Sequence, residues 1–413
     1  MISDKNIVCF ASGWHYHPTS KHHVMRRLSE HNHVIWVNWH ASRRPRIRLD
    51  DLRTIGSKLL QIQKGPRQVS SNLTVITPPQ IPFPGSSLAR RINVALVRRA
   101  INRVLSRIPV RPTQFWSFAP DVADLVGSFN EELVLYYCVD AFGEFPGYDR
   151  DLIERREREL LARSDVVLAT SEPLYEAKKL LHDNVHFIEH GVDHLHLSRA
   201  VTEQLSVPAD LAALPKPVFG FVGVVGEWVD MELMAGLARK QPEASVVVIG
   251  PVAGPRGSGS HLPNLHWLGP KDHSELPNYL KGFDVGLIPF RKVPLTYHAN
   301  PIKLYEYLAA GVPVVSTHLP AVRPVAGSVW LADDIAGTVN CCCQATQHNS
   351  TEDRLRRSRS MQVESWTARL EQISRIVAEI ESWRTLSASQ SGVPIAAPIA
   401  GAAPVPSFCC RSN

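Results

Sequence analysis

The chain has 413 residues, 44% hydrophobic and 20% charged. A single core rarely grows beyond roughly 250–300 residues, so two domains are expected, and this composition excludes a disordered or fibrous chain. The formal charge of +6 is unevenly spread: residues 1–130 hold 19 Lys/Arg against 6 Asp/Glu, and residues 131–413 hold 26 against 33. The basic part should face something anionic. No apolar run reaches the ~18 residues of a membrane-spanning helix. The opening MISDKNIVCFASGWHYHP lacks a basic stretch followed by an apolar one, so no signal peptide and a cytoplasmic placement are expected. Of the seven cysteines, Cys9 and Cys138 lie in strand-like runs. The consecutive Cys341–Cys343 and Cys409–Cys410 lack the spacing of a zinc site, so neither metal nor disulfide is expected.

Short apolar runs alternate with helical patterns along the chain. Strands are expected at Asn6–Ala11, His33–Asn38, Leu73–Ile76, Gln114–Phe118, Leu133–Tyr137, Asp165–Thr170 and Val185–Ile188, and helices at Ser20–Glu30, Asp151–Arg163 and Pro173–Leu181. Within residues 1–200 this predicts a parallel sheet covered on both faces. Ser198–Pro217 holds three prolines and reads as irregular, with residues 201–217 as the linker. A second βα series fills 218–362: strands at Val218–Val222, Ser245–Ile249, Leu265–Trp267, Val285–Pro289 and Val312–Ser316, with helices at Met231–Lys240, Leu276–Gly282 and Pro301–Ala310. A basic amphipathic helix over 363–385 and a disordered Ala/Pro/Ser-rich tail over 386–413 complete the prediction. The fold class is α/β: two Rossmann-like, doubly wound parallel sheets facing a cleft, with ligands beyond the carboxyl ends of the strands.

The most informative segment is YHANPIKLYEYLAAGVPVVST, Tyr297–Thr317. Asn300 suits an N-cap and Pro301 the first helical position. First-turn amides and the helix dipole attract a phosphate. Lys303 opposes that dipole unless an anion is present. Glu306 lies one turn on, on the same face. There a carboxylate can accept both hydroxyls of a ribose; a solvated Lys–Glu pair is the plainer alternative. Gly311 ends the helix.

This segment resembles the donor-binding signature of GT-B glycosyltransferases of the bacterial polysaccharide-assembly type, of the form NPxKLYEYLAAGxPVV. The resemblance implies that Lys303 meets sugar-nucleotide phosphates and Glu306 the ribose. FGFVGVVG, Phe219–Gly226, resembles the strand and glycine loop opening the nucleotide domain; Gly223 and Gly226 would let the backbone approach the diphosphate. EHGVD, Glu189–Asp193, resembles the family's NGVD segment, with His190 in place of asparagine. Gly13–His23 resembles an acceptor-side loop. Tyr297 and Leu268–Leu276 are candidate contacts to the base. The expected co-substrate is a UDP- or GDP-sugar, and no metal or other cofactor is expected. The string Asp149-Arg150-Asp151 is read as helix capping, and His15, His17, His22 and His23 do not place three metal ligands on one face.

Transfer needs stabilisation of the leaving diphosphate, placement of the acceptor hydroxyl and, for inversion, a base. Asp140, after a strand in VLYYCVDAFGEF, is the candidate base, with Glu144 as runner-up; a helix-capping or turn aspartate is the alternative. Some inverting GT-B glycosyltransferases of exopolysaccharide assembly place a catalytic aspartate at the matching strand end, and this sequence is similar there. Many retaining members carry a glutamate eight residues before the ribose-binding one, where this chain has His298. The Arg/Lys pair expected after the glycine loop is replaced by GEWVD, so inversion is expected. Residues 40–111 hold 15 Lys/Arg, and Ser86–Ile108 fits a basic amphipathic helix. That pattern suits the anionic cytoplasmic face of an inner membrane, where a glycan or lipid-linked acceptor would be met; a core-packed helix with a solvated basic face is the alternative. No stacking platform points to nucleic acid. An epimerase or hydrolase on the same scaffold, or a non-catalytic nucleotide-sugar-binding protein, are the competing functions.

Overall fold

The computed structural model describes residues 1–15, 18–39, 65–83 and 85–391. The first sheet contains β1 (Asn6–Ala11), β2 (His33–Asn38), β3 (Arg67–Ser70), β4 (Leu73–Ile76), β5 (Thr113–Ser117), β6 (Glu131–Cys138), β7 (Val166–Ala169) and β8 (Val185–Phe187). Its order is β3-β4-β2-β1-β5-β6-β7-β8, parallel except for β3, which pairs antiparallel at the edge. The second contains β9 (Val218–Val222), β10 (Ser245–Ile249), β11 (Leu265–Gly269), β12 (Val285–Ile288), β13 (Val314–Ser316) and β14 (Val329–Leu331), in the order β11-β10-β9-β12-β13-β14, all parallel. Strands buried on both faces explain why β1, β7, β9 and β10 read as unbroken apolar runs.

In each sheet the winding reverses once, between β1 and β5 and between β9 and β12. The loops leaving the carboxyl ends there diverge and open a crevice. In the first domain, β1 leads to the helix Ser20–Leu28. In the second, β9 leads to the Gly223 loop and β12 leads towards the helix Ile302–Ala309.

Residues 198–217 differ from the irregular linker expected. They contain the short helices Arg199–Thr202 and Ala209–Ala212, and Ala200 and Leu211 are buried in the second domain's core. The last helix also differs. It runs from Trp366 to Ser391, so residues 386–391, expected to be disordered, continue it; 392–413 lie outside the described residues. Trp366, Leu370, Ile373 and Val377 enter the core of the first domain, against β1, β2 and β6. Burying side chains of this size contributes about 1.5–3 kcal/mol each. Lys5 to Glu381 at 2.9 Å and Arg384 to Asp165 fasten the far end of the helix.

The expected basic helix spans Ser87–Leu105, with Ser86 as its cap. Ala89, Asn93, Val97, Ile101 and Val104 face inward. Leu88 (67% exposed), Ile92 (38%) and the preceding Phe83 (57%) remain outside with Arg91, Arg98 and Arg99. The outer face is therefore both apolar and basic. Among the described residues no helix is long and apolar enough to cross a membrane.

Candidate active site

The second domain contributes the helix Ile302–Ala309. Pro301, not Asn300, is its N-cap residue and offers no side-chain cap, so first-turn amides remain for a ligand. Asn300 acts elsewhere. Its amide nitrogen donates to the Thr170 carbonyl at 2.8 Å, tying the helix to the end of β7 in the first domain. Its buried Oδ1 has no partner. Ser171 adds a second tie, its hydroxyl donating to the His298 carbonyl at 2.6 Å. Lys303 and Glu306 form an ion pair, but not a solvated one: their side chains are 16% and 6% exposed. Tyr307, on the same helix, accepts a hydrogen bond from the Val222 amide at 2.8 Å, which seats the helix against the end of β9. Tyr297 is 56% exposed, with its ring edge-on to His298.

The glycine loops meet closely. Gly223 donates its amide to Ile249 at 2.8 Å. A Cβ on Gly250, at φ +140°, would lie 2.0 Å from the Gly223 carbonyl oxygen. Gly250 was not among the expected site residues, although its place after an apolar strand could have flagged it. At Gly226 the missing side chain makes room for Trp228, because a Cβ would stand 2.3 Å from that indole. Trp228 in turn packs edge-on against Phe145 of the first domain, with centroids 6.1 Å apart. The absence of a side chain at Gly226 thus also makes room for a contact between the domains.

On the first-domain side, Asp140 follows β6 and is half-buried. Burial pushes its carboxyl up to about 6, and nearby Lys21 pulls it back down. Glu144 is held by Arg150 at 3.1 Å, at the start of the next helix, which leaves it less free than Asp140. Asp149 caps that helix, accepting from the Leu152 amide at 3.1 Å. His190 is buried, its ring lowered to about 4 by burial and then by Arg369, and its Nδ1 has no partner. It leans on Trp366, where a Cβ on Gly191 would stand 2.8 Å from the Trp366 amide nitrogen. Close passage of the last helix thus explains the glycine of the EHGVD segment.

The histidines of the amino-terminal loop have structural partners. His22 Nδ1 accepts from the Thr19 amide at 3.2 Å, so its Nε2 carries the proton toward the Trp14 carbonyl. His23 stacks on Trp366 with centroids 5.4 Å apart. His17 lies outside the described residues. Among the described residues no His/Cys/Asp/Glu cluster could hold a metal.

With this geometry in place, residues 216–347 match the glycosyl transferases group 1 family. The chain superposes on sucrose-phosphate synthase from Thermosynechococcus elongatus with a TM-score of 0.65 and 14% identity, covering 92% of this chain and 99% of that one. The chain has the GT-B fold. A second GT-B neighbour is HepE from Anabaena, solved with UDP and glucose, with a TM-score of 0.62, 13% identity and coverage of 91% and 99%. A protein of Bacillus subtilis (strain 168) described as a teichuronic acid biosynthesis glycosyltransferase, TuaH, is 29% identical over 223 residues, half of this chain. The match spans 55% of that relative's length. The GT-B resemblance and the α/β fold class expected from the sequence are thereby met.

Proposed function

We propose that this protein is a glycosyltransferase that moves a sugar from a nucleotide sugar to a glycan or lipid-linked acceptor in cell-surface polysaccharide assembly. The observation that carries this reading is the nearly buried Lys303–Glu306 pair at a helix start without a side-chain cap. A fold gains little from such a pair at the positive end of a dipole, whereas a nucleoside diphosphate gives each member a partner. Lys303 and the first-turn amides take the diphosphate charge, and Glu306 accepts the ribose hydroxyls. The nucleotide is read as UDP or GDP; the UDP and glucose seen in HepE favour UDP. The TuaH match favours an acceptor in polysaccharide synthesis.

Transfer proceeds with inversion in this reading. Asp140 removes the proton from the acceptor hydroxyl as its oxygen attacks the anomeric carbon. The bond from that carbon to the diphosphate breaks, and the nucleoside diphosphate leaves with its charge stabilised. Asp140 is suited to the role because its raised carboxyl titrates nearer neutrality than an ordinary aspartate. The acceptor is met at a membrane: Leu88, Ile92 and Phe83 enter the interface and the neighbouring arginines meet anionic lipid, each charge adding about 1 kcal/mol.

The decisive experiment is radiolabel transfer from a panel of UDP- and GDP-sugars to a membrane extract. Transfer from one donor is expected, with a product of inverted anomeric configuration by NMR coupling constants. Nucleotide release without transfer would favour a hydrolase or epimerase, and binding without turnover a non-catalytic protein. Asp140→Ala should lose at least ~100-fold in rate; full activity in that variant would remove Asp140 as the base.

A further inference from the structure

Charged side chains on the cleft side of the first domain are mostly spoken for. Glu144 is held by Arg150 at 3.1 Å, and Glu157 by Lys178 at 2.6 Å. Among the described residues, Lys21 and Asp140 have no such partner. Lys21 sits in the first turn of the helix Ser20–Leu28, which has no acidic residue in that turn. A cation there opposes the helix dipole, and this one is also half-buried. Among the described residues no carboxylate lies within 4.0 Å of its ammonium group, and neither its side chain nor that of Asp140 makes a hydrogen bond. Both follow the carboxyl ends of parallel strands in one sheet: β1, which feeds the helix of Lys21, and β6, which ends just before Asp140, flank β5. Burial lowers the Lys21 ammonium, and Asp140 raises it back.

Two half-buried opposite charges, held apart and otherwise unpartnered, cost the fold desolvation without the return of a direct ion pair. We propose that Lys21 is a positioning residue for Asp140. It keeps the carboxylate ionised and turned toward the acceptor hydroxyl while leaving room for that hydroxyl between them. A direct ion pair would occupy the lone pairs that a base needs; a cation at a distance favours the charged form without doing so. The other groups around Asp140 do not supply this. The Cys9 thiol of β1 and the Cys138 thiol of its own strand are both buried and raised. The Glu157–Lys178 pair beyond Cys138 is internally neutralised, and Glu144 is committed to Arg150. This inference rests on Asp140 acting as the base.

The test is the pH dependence of kcat/KM for transfer in wild-type, Lys21→Met, Lys21→Arg and Asp140→Asn enzymes, with the Asp140 carboxyl followed by carbon NMR in the first three. Wild type should show an acidic limb near 6, where Asp140 ionises. In Lys21→Met the limb and the NMR titration should both move upward, each unit lowering activity on the acid side about tenfold. Lys21→Arg should restore both. An unmoved limb and an unmoved titration in Lys21→Met, with Asp140→Asn inactive, would overturn the inference while leaving the base intact. A fully active Asp140→Asn enzyme would remove the base, and the role of Lys21 with it. Should Lys21→Met fail to fold, Lys21→Gln keeps the side-chain length and the same readouts.

Discussion

At Asp140 the two charge states pull stability and function in opposite directions. Folding raises its carboxyl from 3.8 to about 6, so the ionised form is the disfavoured one in the folded state. The cost is absent below the unfolded value and complete above about 6. Asp140→Asn should therefore stabilise the protein at pH 8, by about 3 kcal/mol, and should add nothing near pH 3. Thermal melts at the two pH values check this, and the same variant should be inactive. Lys303 and Glu306 make a complementary prediction. A UDP-sugar that binds the folded state raises the melting temperature by mass action. Lys303→Met and Glu306→Gln should lose that shift and reduce transfer by about 100-fold or more. An undiminished shift in both variants would take the donor away from this helix.

The helices and loops matter through where they pass close to one another. Gly191 and Gly250 show it most plainly. A Cβ at Gly191 would lie 2.8 Å from the Trp366 amide nitrogen, and one at Gly250 2.0 Å from the Gly223 carbonyl. Neither obstacle is a flexible side chain, so the backbone must move. Gly191→Ala should lift the last helix from the first domain, costing about 1–3 kcal/mol in denaturant melts, with faster hydrogen exchange around Trp366. Gly250→Ala, at positive φ, should cost at least as much and should also disturb the loop beside Gly223 and weaken donor binding. The outer face of Ser87–Leu105 supplies a third expectation. Replacing Leu88 and Ile92 by serine should leave stability nearly unchanged, since both are exposed. It should also weaken flotation with anionic vesicles at low salt; unaltered flotation would remove this helix as the contact.

Across the whole molecule, the junction between domains is built around buried and half-buried histidines. His23 stacks on Trp366 and lies 5.9 Å, ring to ring, from His273 of the second domain, which stacks on His196 at 4.6 Å. Burial, then the neighbouring Arg27 and His273, hold His23 at about 2. His190, which also leans on Trp366, is held at about 4. Both are neutral when folded but protonate near 6.5 when exposed. Stability at the junction is therefore full above about 6.5 and falls as pH drops below it, by about 1.4 kcal/mol per unit for each such histidine. His23→Phe should flatten the acid side of a stability-versus-pH curve; an unchanged slope would rule His23 out as its source.

Much of the fold was legible along the linear chain. Alternating apolar runs located β1, β2, β4, β9 and β10 to the residue, because strands buried on both faces must be apolar throughout. Lys303 and Glu306 were legible because their spacing on one helical turn is local. The edge strand β3 and the strand β14 were not legible. β3 is exposed along its length, so no hydrophobic pattern marks it, and β14 has only three residues. The role of Asn300 was hidden because its partner, Thr170, is 130 residues away. The packing of Trp228 into the space beside Gly226 was hidden as well, because it declares itself only in three dimensions. The tertiary structure alone decided that the last helix belongs to the first domain and that Lys21 stands near Asp140. Local sequence fixes which face of an element is apolar; only the packed chain decides which charges are left facing one another without a bond.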